Sequence, residues 1–347
     1  MCTRNTLALA VALVLLAHAS ASLAEDVNNP TGRNGLILID KRGNHVRFFD
    51  PATLKELSNF STGAQAAHDL AISPDHRTAY IPIYGDGIIG RNPHPGNVIV
   101  VVDLASRRAT GMIDLSPCQA PHGIQIDAEG MLYVVCDITR TLLIVNPATS
   151  TIVATIDVEG TGHWLALLPD ASKAYVSHQG GGDFISVVDL KVRKMIGRIP
   201  TASSGITASP DGARVFAMTG GSTGPAVVVV IDTTTDSIVD RVALQGHSQA
   251  GYKLRLSSDG AALLTCGYDY GGSAVSMVNV LTVADLHGAQ KVFRAGKGTM
   301  GFGFAPDGRT VLLANDGDGT VTVADFRRGV VTSTFKGGTG IETVSYY

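Results

Sequence analysis

The 347 residues include 40 glycines, with 16% charged and 45% hydrophobic, too apolar for a disordered chain and too evenly spread for a membrane bundle. A formal charge of −3 excludes a strongly basic nucleic-acid binder, because little in the chain would neutralise phosphates. Aromatic residues at 6% and a single tryptophan argue against a stacking platform for bases or sugars.

At the N-terminus, Arg4 precedes an apolar run from Leu7 to Ala17, and small residues follow through Ser22 and Ala24. These are the parts of a cleavable signal peptide over residues 1–24, with Ala21 as the alternative cleavage point. They predict a periplasmic or secreted protein. No later segment has 18 uninterrupted apolar residues, so no membrane span is expected after cleavage. Residues 25–347 read as one domain.

Strands are predicted at Gly35–Asp40, His45–Asp50 and Leu54–Leu57, and a repeat then begins. Seven segments align without gaps, starting at His68, His122, His163, Ser204, Tyr252, Met300 and Ile341. Each opens with an alternating run of a half-buried strand and turns at a Ser-Pro-Asp-Gly type corner, as in Ser209-Pro-Asp-Gly212. A second strand follows, as in Leu132–Val135, then a glycine-rich loop and a third strand ending at Asp or Asn, as in Ile185–Asp189. A fourth carries alternating Val and Ile, as in Thr151–Ile156. Four short strands every 41 to 54 residues, without a helix signal, are the signature of propeller blades. The last repeat stops after its first strand, and the N-terminal strands supply what it lacks. The fold class predicted is an all-β, seven-bladed β-propeller whose closing blade is shared between the two ends of the chain.

The runs Ser209-Pro-Asp-Gly212, Ala174-Tyr-Val-Ser177 and Val187-Val-Asp-Leu190 resemble the YVTN-type β-propeller repeat proteins, secreted or surface propellers related to the YncE-like and lactonase-like groups. The resemblance covers residues 34–347. It implies the fold, while the architecture hosts hydrolases, oxidoreductase subunits and binding proteins alike.

Registering the repeats puts the starts of the first strands, the ends of the second strands and the loops after them on one face. The first-strand position there reads Ile341, His68, His122, His163, Ser204, Tyr252 and Met300, and the next reads Glu342, Asp69, Gly123, Trp164, Gly205, Lys253 and Gly301. A turn near 170–171 makes His163 and His178 cross-strand partners, and Asp137 takes the equivalent place beside His122. His68, His122, His163 and His178 are therefore candidate ligands of a divalent transition metal, and Asp69, Asp137, Tyr252, Lys253 and Glu342 candidate ligand-binding residues. Polar residues at these positions equally suit strand caps at a wet channel. The long Tyr84–Asn97 insertion lies on the same face.

No Cys-x-x-Cys-His or phosphate-loop pattern is present. Asp316-Gly-Asp-Gly319 lacks the downstream Glu of a calcium loop and reads as a hairpin turn. With Cys2 in the leader, three cysteines remain. Cys136 and Cys266 occupy equivalent points of distant blades, whereas Cys118 enters the strand beside which Cys136 leaves. A Cys118–Cys136 disulfide is expected, with three free apolar cysteines as the alternative. Function then reads as the binding of a small molecule or protein on the loop-rich, histidine-lined face. The alternative is a metal-assisted hydrolase or lyase of the lactonase-like kind.

Overall fold

The computed structural model describes residues 35–88, 91–179, 182–221, 224–245, 250–268 and 274–347. The expected leader, residues 1–24, lies outside them, as does the side chain of Tyr252. Among the described residues there is no helix, and hence none long and apolar enough to cross a membrane. The strands form seven antiparallel sheets, one per blade.

Blade 1 joins the two ends. Ile341–Tyr346 is its innermost strand, and Leu36–Asp40, His45–Phe49 and Glu56–Ser61 follow outward. Gly35 and Tyr347 exchange backbone hydrogen bonds of 3.1 and 3.0 Å at one end of this seam. At the other, the buried Asp40 carboxylate accepts from Arg47 Nε at 2.9 Å and from the Thr339 and Gly340 amides at 3.0 and 2.9 Å. Blades 3 to 7 run outward in chain order from inner strands Pro121–Ile126, Gly162–Leu167, Ile206–Ala208, Ala250–Leu256 and Thr299–Phe304. The inner strand of blade 2 is split into Ala66–Ala67 and Ala71–Ile72, both paired with Thr78–Gly85.

The repeated turns explain why these segments fold as hairpins. In blade 5 the Asp211 carboxylate accepts from the Ala213 amide at 3.0 Å and from Ser209 Oγ, while Gly212 takes a left-handed φ of +70°. Glycine adopts that conformation without strain. The core lies between blades, and the buried apolar residues fall into seven clusters, each spanning one blade-to-blade interface. One joins Val134 and Leu143 of blade 3 to Ile99 and Ile113 of blade 2. Another joins Ile341 and Leu38 of blade 1 to Leu312 and Val321 of blade 7. Such a ring needs every interface, including the one made by the chain ends.

Cys118 and Cys136 form a disulfide, while Cys266 is free and buried, its thiol pushed up to about 12 by that burial. Closing an 18-residue separation restricts the unfolded chain enough to contribute about 3 kcal/mol. The Cys118→Ala/Cys136→Ala protein should melt several degrees below the oxidised wild type. Equal melting temperatures would show that the bond adds nothing.

Candidate functional site

The inner strands of blades 1, 3, 4, 6 and 7 begin with a pairing irregularity at the same place. In blade 4, Gly162 pairs with His178 and Trp164 with Ser177, so His163 is the extra residue of a β-bulge. Met300 has the same role in blade 7, between the Thr299–Asn315 and Gly301–Ala314 pairs. In blade 1, Asp40 pairs with Ile341 and Ile39 with Thr343, leaving Glu342 as the extra residue. A bulge re-aims its side chain out of the pleat, here towards the channel mouth.

This geometry corrects the gapless register in two places. Glu342, not Ile341, occupies the position held by His163, so blades 1 to 4 present Glu342, His68, His122 and His163 in succession. The backbone repeats the equivalence: a Cβ on Gly123 would lie 2.6 Å from the His163 carbonyl oxygen, and one on Gly301 would lie 2.3 Å from that of Glu342. His163 and His178 are not cross-strand partners, because the bulge moves Gly162 opposite His178. His178 lies apart from the other three histidines. Its Nε2–H donates to Ser186 Oγ at 2.7 Å, its ring packs on Phe184, and Gly160 and Gly182 crowd it so closely that a Cβ on either would clash. Burial lowers its pKa to about 4.

The other three rings are buried and contiguous. His122 Nδ1–H donates to the His163 carbonyl at 3.0 Å, which leaves the Nε2 lone pair facing His68 Nδ1 at 3.1 Å. Glu342 Oε1 lies 3.5 Å from that same His68 Nδ1. Lys41 Nζ lies 2.6 Å from Glu342 Oε2, and Asp316 receives Arg42 at 2.7 Å. Burial alone would raise the Glu342 pKa, but His68 and Lys41 beside it hold it well below the usual carboxylate range. His68 and His122 are lowered, first by burial; for His122 the neighbouring His163 and His68 add to the effect. His68 Nε2 is buried without a hydrogen-bond partner.

His163 stacks on His122 with ring centroids 3.5 Å apart, and its Nδ1 lies 3.3 Å from both oxygens of Asp137. Tyr84 OH donates to the same carboxylate at 2.8 Å, and burial raises the Tyr84 pKa further from neutrality. Trp164 packs edge-on against His163 and lies beneath Lys253, whose Nζ stands 5.3 Å from the ring centroid. Asp69, Lys253 and Arg255 line a cavity of about 540 Å³ that extends from Trp164 to the hairpin turns at Asp127 and Pro169.

His68, His122 and Glu342 present one ligand atom each, all within 4.8 Å of one another. Asp137 serves His163, while Asp69 and Lys253 lie on the channel wall. Lys41, Tyr84 and Asp316 escaped the sequence reading. Asp316 follows the second strand of its blade as Asp137 does, and that shared position was a signal read only as turn chemistry.

No family model matches the sequence. A stretch of 125 residues is 33% identical to the seven-bladed beta-propeller protein Rv1057 of Mycobacterium tuberculosis, covering 35% of this chain and 32% of that protein. The chain thus matches about a third of that relative's length. Among solved structures the fold is similar to Kuenenia stuttgartiensis hydrazine synthase, with a TM-score of 0.67 and 17% identity over 82% of this chain and 91% of that one. It is also similar to a functionally unknown protein from Desulfotomaculum acetoxidans, with a TM-score of 0.71 and 13% identity over 90% and 98% of the two chains. At these identities the likeness shows the fold: this chain is a seven-bladed β-propeller.

Proposed function

We propose that the protein is a binding propeller of the YVTN type, working in the periplasm or outside the cell, which takes its ligand at the histidine-lined mouth beside a divalent transition metal held by His68, His122 and Glu342. The observation carrying the metal is the spacing of the donors. Two ligands of a tetrahedral zinc stand about 3.3 Å apart; His68 Nδ1 stands 3.1 Å from His122 Nε2 and 3.5 Å from Glu342 Oε1, and all three donors lie within 4.8 Å of one another. The hydrogen bond from His122 Nδ1 to a backbone carbonyl is the support that orients a ligating imidazole. A mixed imidazole and carboxylate set suits Zn, Cu, Fe or Ni. Export is supported by the leader pattern and by the Cys118–Cys136 bond.

Untagged protein exposed to zinc and desalted should retain about one equivalent by elemental analysis. His122→Ala and Glu342→Gln should lose it, and His178→Ala should keep it. Retention by the first two variants would remove His122 and Glu342 from the ligand set.

The chain from Tyr84 through Asp137 to His163 favours a second reading, metal-assisted hydrolysis or lysis of the lactonase-like kind. Asp137 would hold the proton on Nδ1 and leave Nε2 of His163 to accept one from a reacting group. Lactone hydrolysis that falls at least tenfold in Asp137→Asn would support it.

A further inference from the structure

The channel below the mouth carries an ionic set that neither the metal donors nor the fold uses. Lys253 and Arg255 are alternate residues of the inner strand of blade 6, so both side chains leave the same face. Among the described residues no carboxylate lies within 4 Å of either. Lys253 stands over Trp164, and Arg255 spends one N–H on the Phe302 carbonyl at 3.1 Å. Asp69, placed on the interruption of the blade 2 inner strand, faces the same cavity. Asp69, Lys253 and Arg255 thus share the wall of one cavity. These three sum to one positive charge, while Asp127, on the same wall, accepts from the Met131 amide at 2.8 Å and from Tyr133 OH at 2.9 Å. The ionic groups above them balance separately, Lys41 and Arg42 against Glu342 and Asp316. Between these charges the wall is apolar, formed by Ile124, Trp164, Leu165, Ile206 and Leu254.

We propose that the channel binds a small organic monocarboxylate, its carboxylate held by Lys253 and Arg255 and its carbon body laid along Trp164. One negative charge neutralises the set. A second would meet Asp69, which discriminates against phosphate and dicarboxylates. The cavity of about 540 Å³ falls within the usual range for small-ligand sites. The guanidinium fork suits a planar carboxylate, and hydrogen bonds between charged groups in such a cavity are stronger than neutral ones.

The inference rests on the binding reading of the mouth and not on the metal. The test is calorimetric titration of the full chain with butyrate, butyramide and inorganic phosphate, in metal-stripped and zinc-loaded protein. Butyrate is expected to bind one to one in both forms and butyramide not at all. Lys253→Gln and Arg255→Gln should each weaken butyrate about tenfold or more at unchanged melting temperature. Butyrate binding without zinc uptake would leave this inference standing while removing the metal. Zinc uptake without butyrate binding would overturn the inference and leave the metal. Equal binding of butyramide, preference for phosphate, or unaltered affinity in both variants would also overturn it.

Discussion

Deleting Ile341–Tyr347 is expected to abolish the cooperative unfolding transition and leave an aggregating chain. The segment is the innermost strand of blade 1 and pairs along the whole of Leu36–Asp40. It buries Ile341, Val344 and Tyr347 almost completely, and Thr343 Oγ donates to the His68 carbonyl of blade 2 at 2.9 Å. Burial of these three side chains alone stabilises by about 5–8 kcal/mol, comparable to the entire stability of many domains. The loss also exposes the edge of Leu36–Asp40, which will pair with other chains. Circular dichroism and light scattering check this, and a soluble truncated protein with the wild-type melting temperature would show that the ring closes elsewhere.

Gly301→Ala is expected to destabilise strongly for a single methyl group. A Cβ there lies 2.3 Å from the Glu342 carbonyl oxygen and 3.2 Å from Thr343 Cα, both backbone, so blades 7 and 1 must move apart. Overpacking of this kind costs about 3 kcal/mol, lowering the melting temperature by roughly 6 °C or more. Because the displaced backbone carries Glu342, zinc retention should fall in the same variant. Gly111→Ala is the control, since nothing lies within 4 Å of its added carbon. If both variants melt like the wild type, the close approach of the two inner strands is not required.

The fold was legible because it is periodic. Seven similar units and two complementary ends leave few alternatives to a closed ring, and the pairing of Ile341–Tyr346 with Leu36–Asp40 matches that expectation. The site was legible only in part. A gapless alignment counts residues along one strand and does not register an extra residue absent from its partner, so each bulge shifted the comparison by one. That shift set His178 opposite His163, whereas Ile341 stood where Glu342 belongs because the last repeat was aligned one residue early, the bulge being common to both inner strands. Tyr84, Lys41 and Asp316 reach the site from the ends of second strands or the loops after them, where repeats diverge and a residue's contacts depend on neighbouring blades. The carboxylate–lysine contact across the chain ends links residues 301 positions apart, a separation over which local pattern carries no information.

The most direct test of the metal site is the crystal structure of zinc-loaded protein, with anomalous data collected at the zinc edge. One ion is expected within about 2.3 Å of His68, His122 and Glu342. An anomalous peak beside His178, or none at the mouth of a crystal grown with zinc, would contradict it.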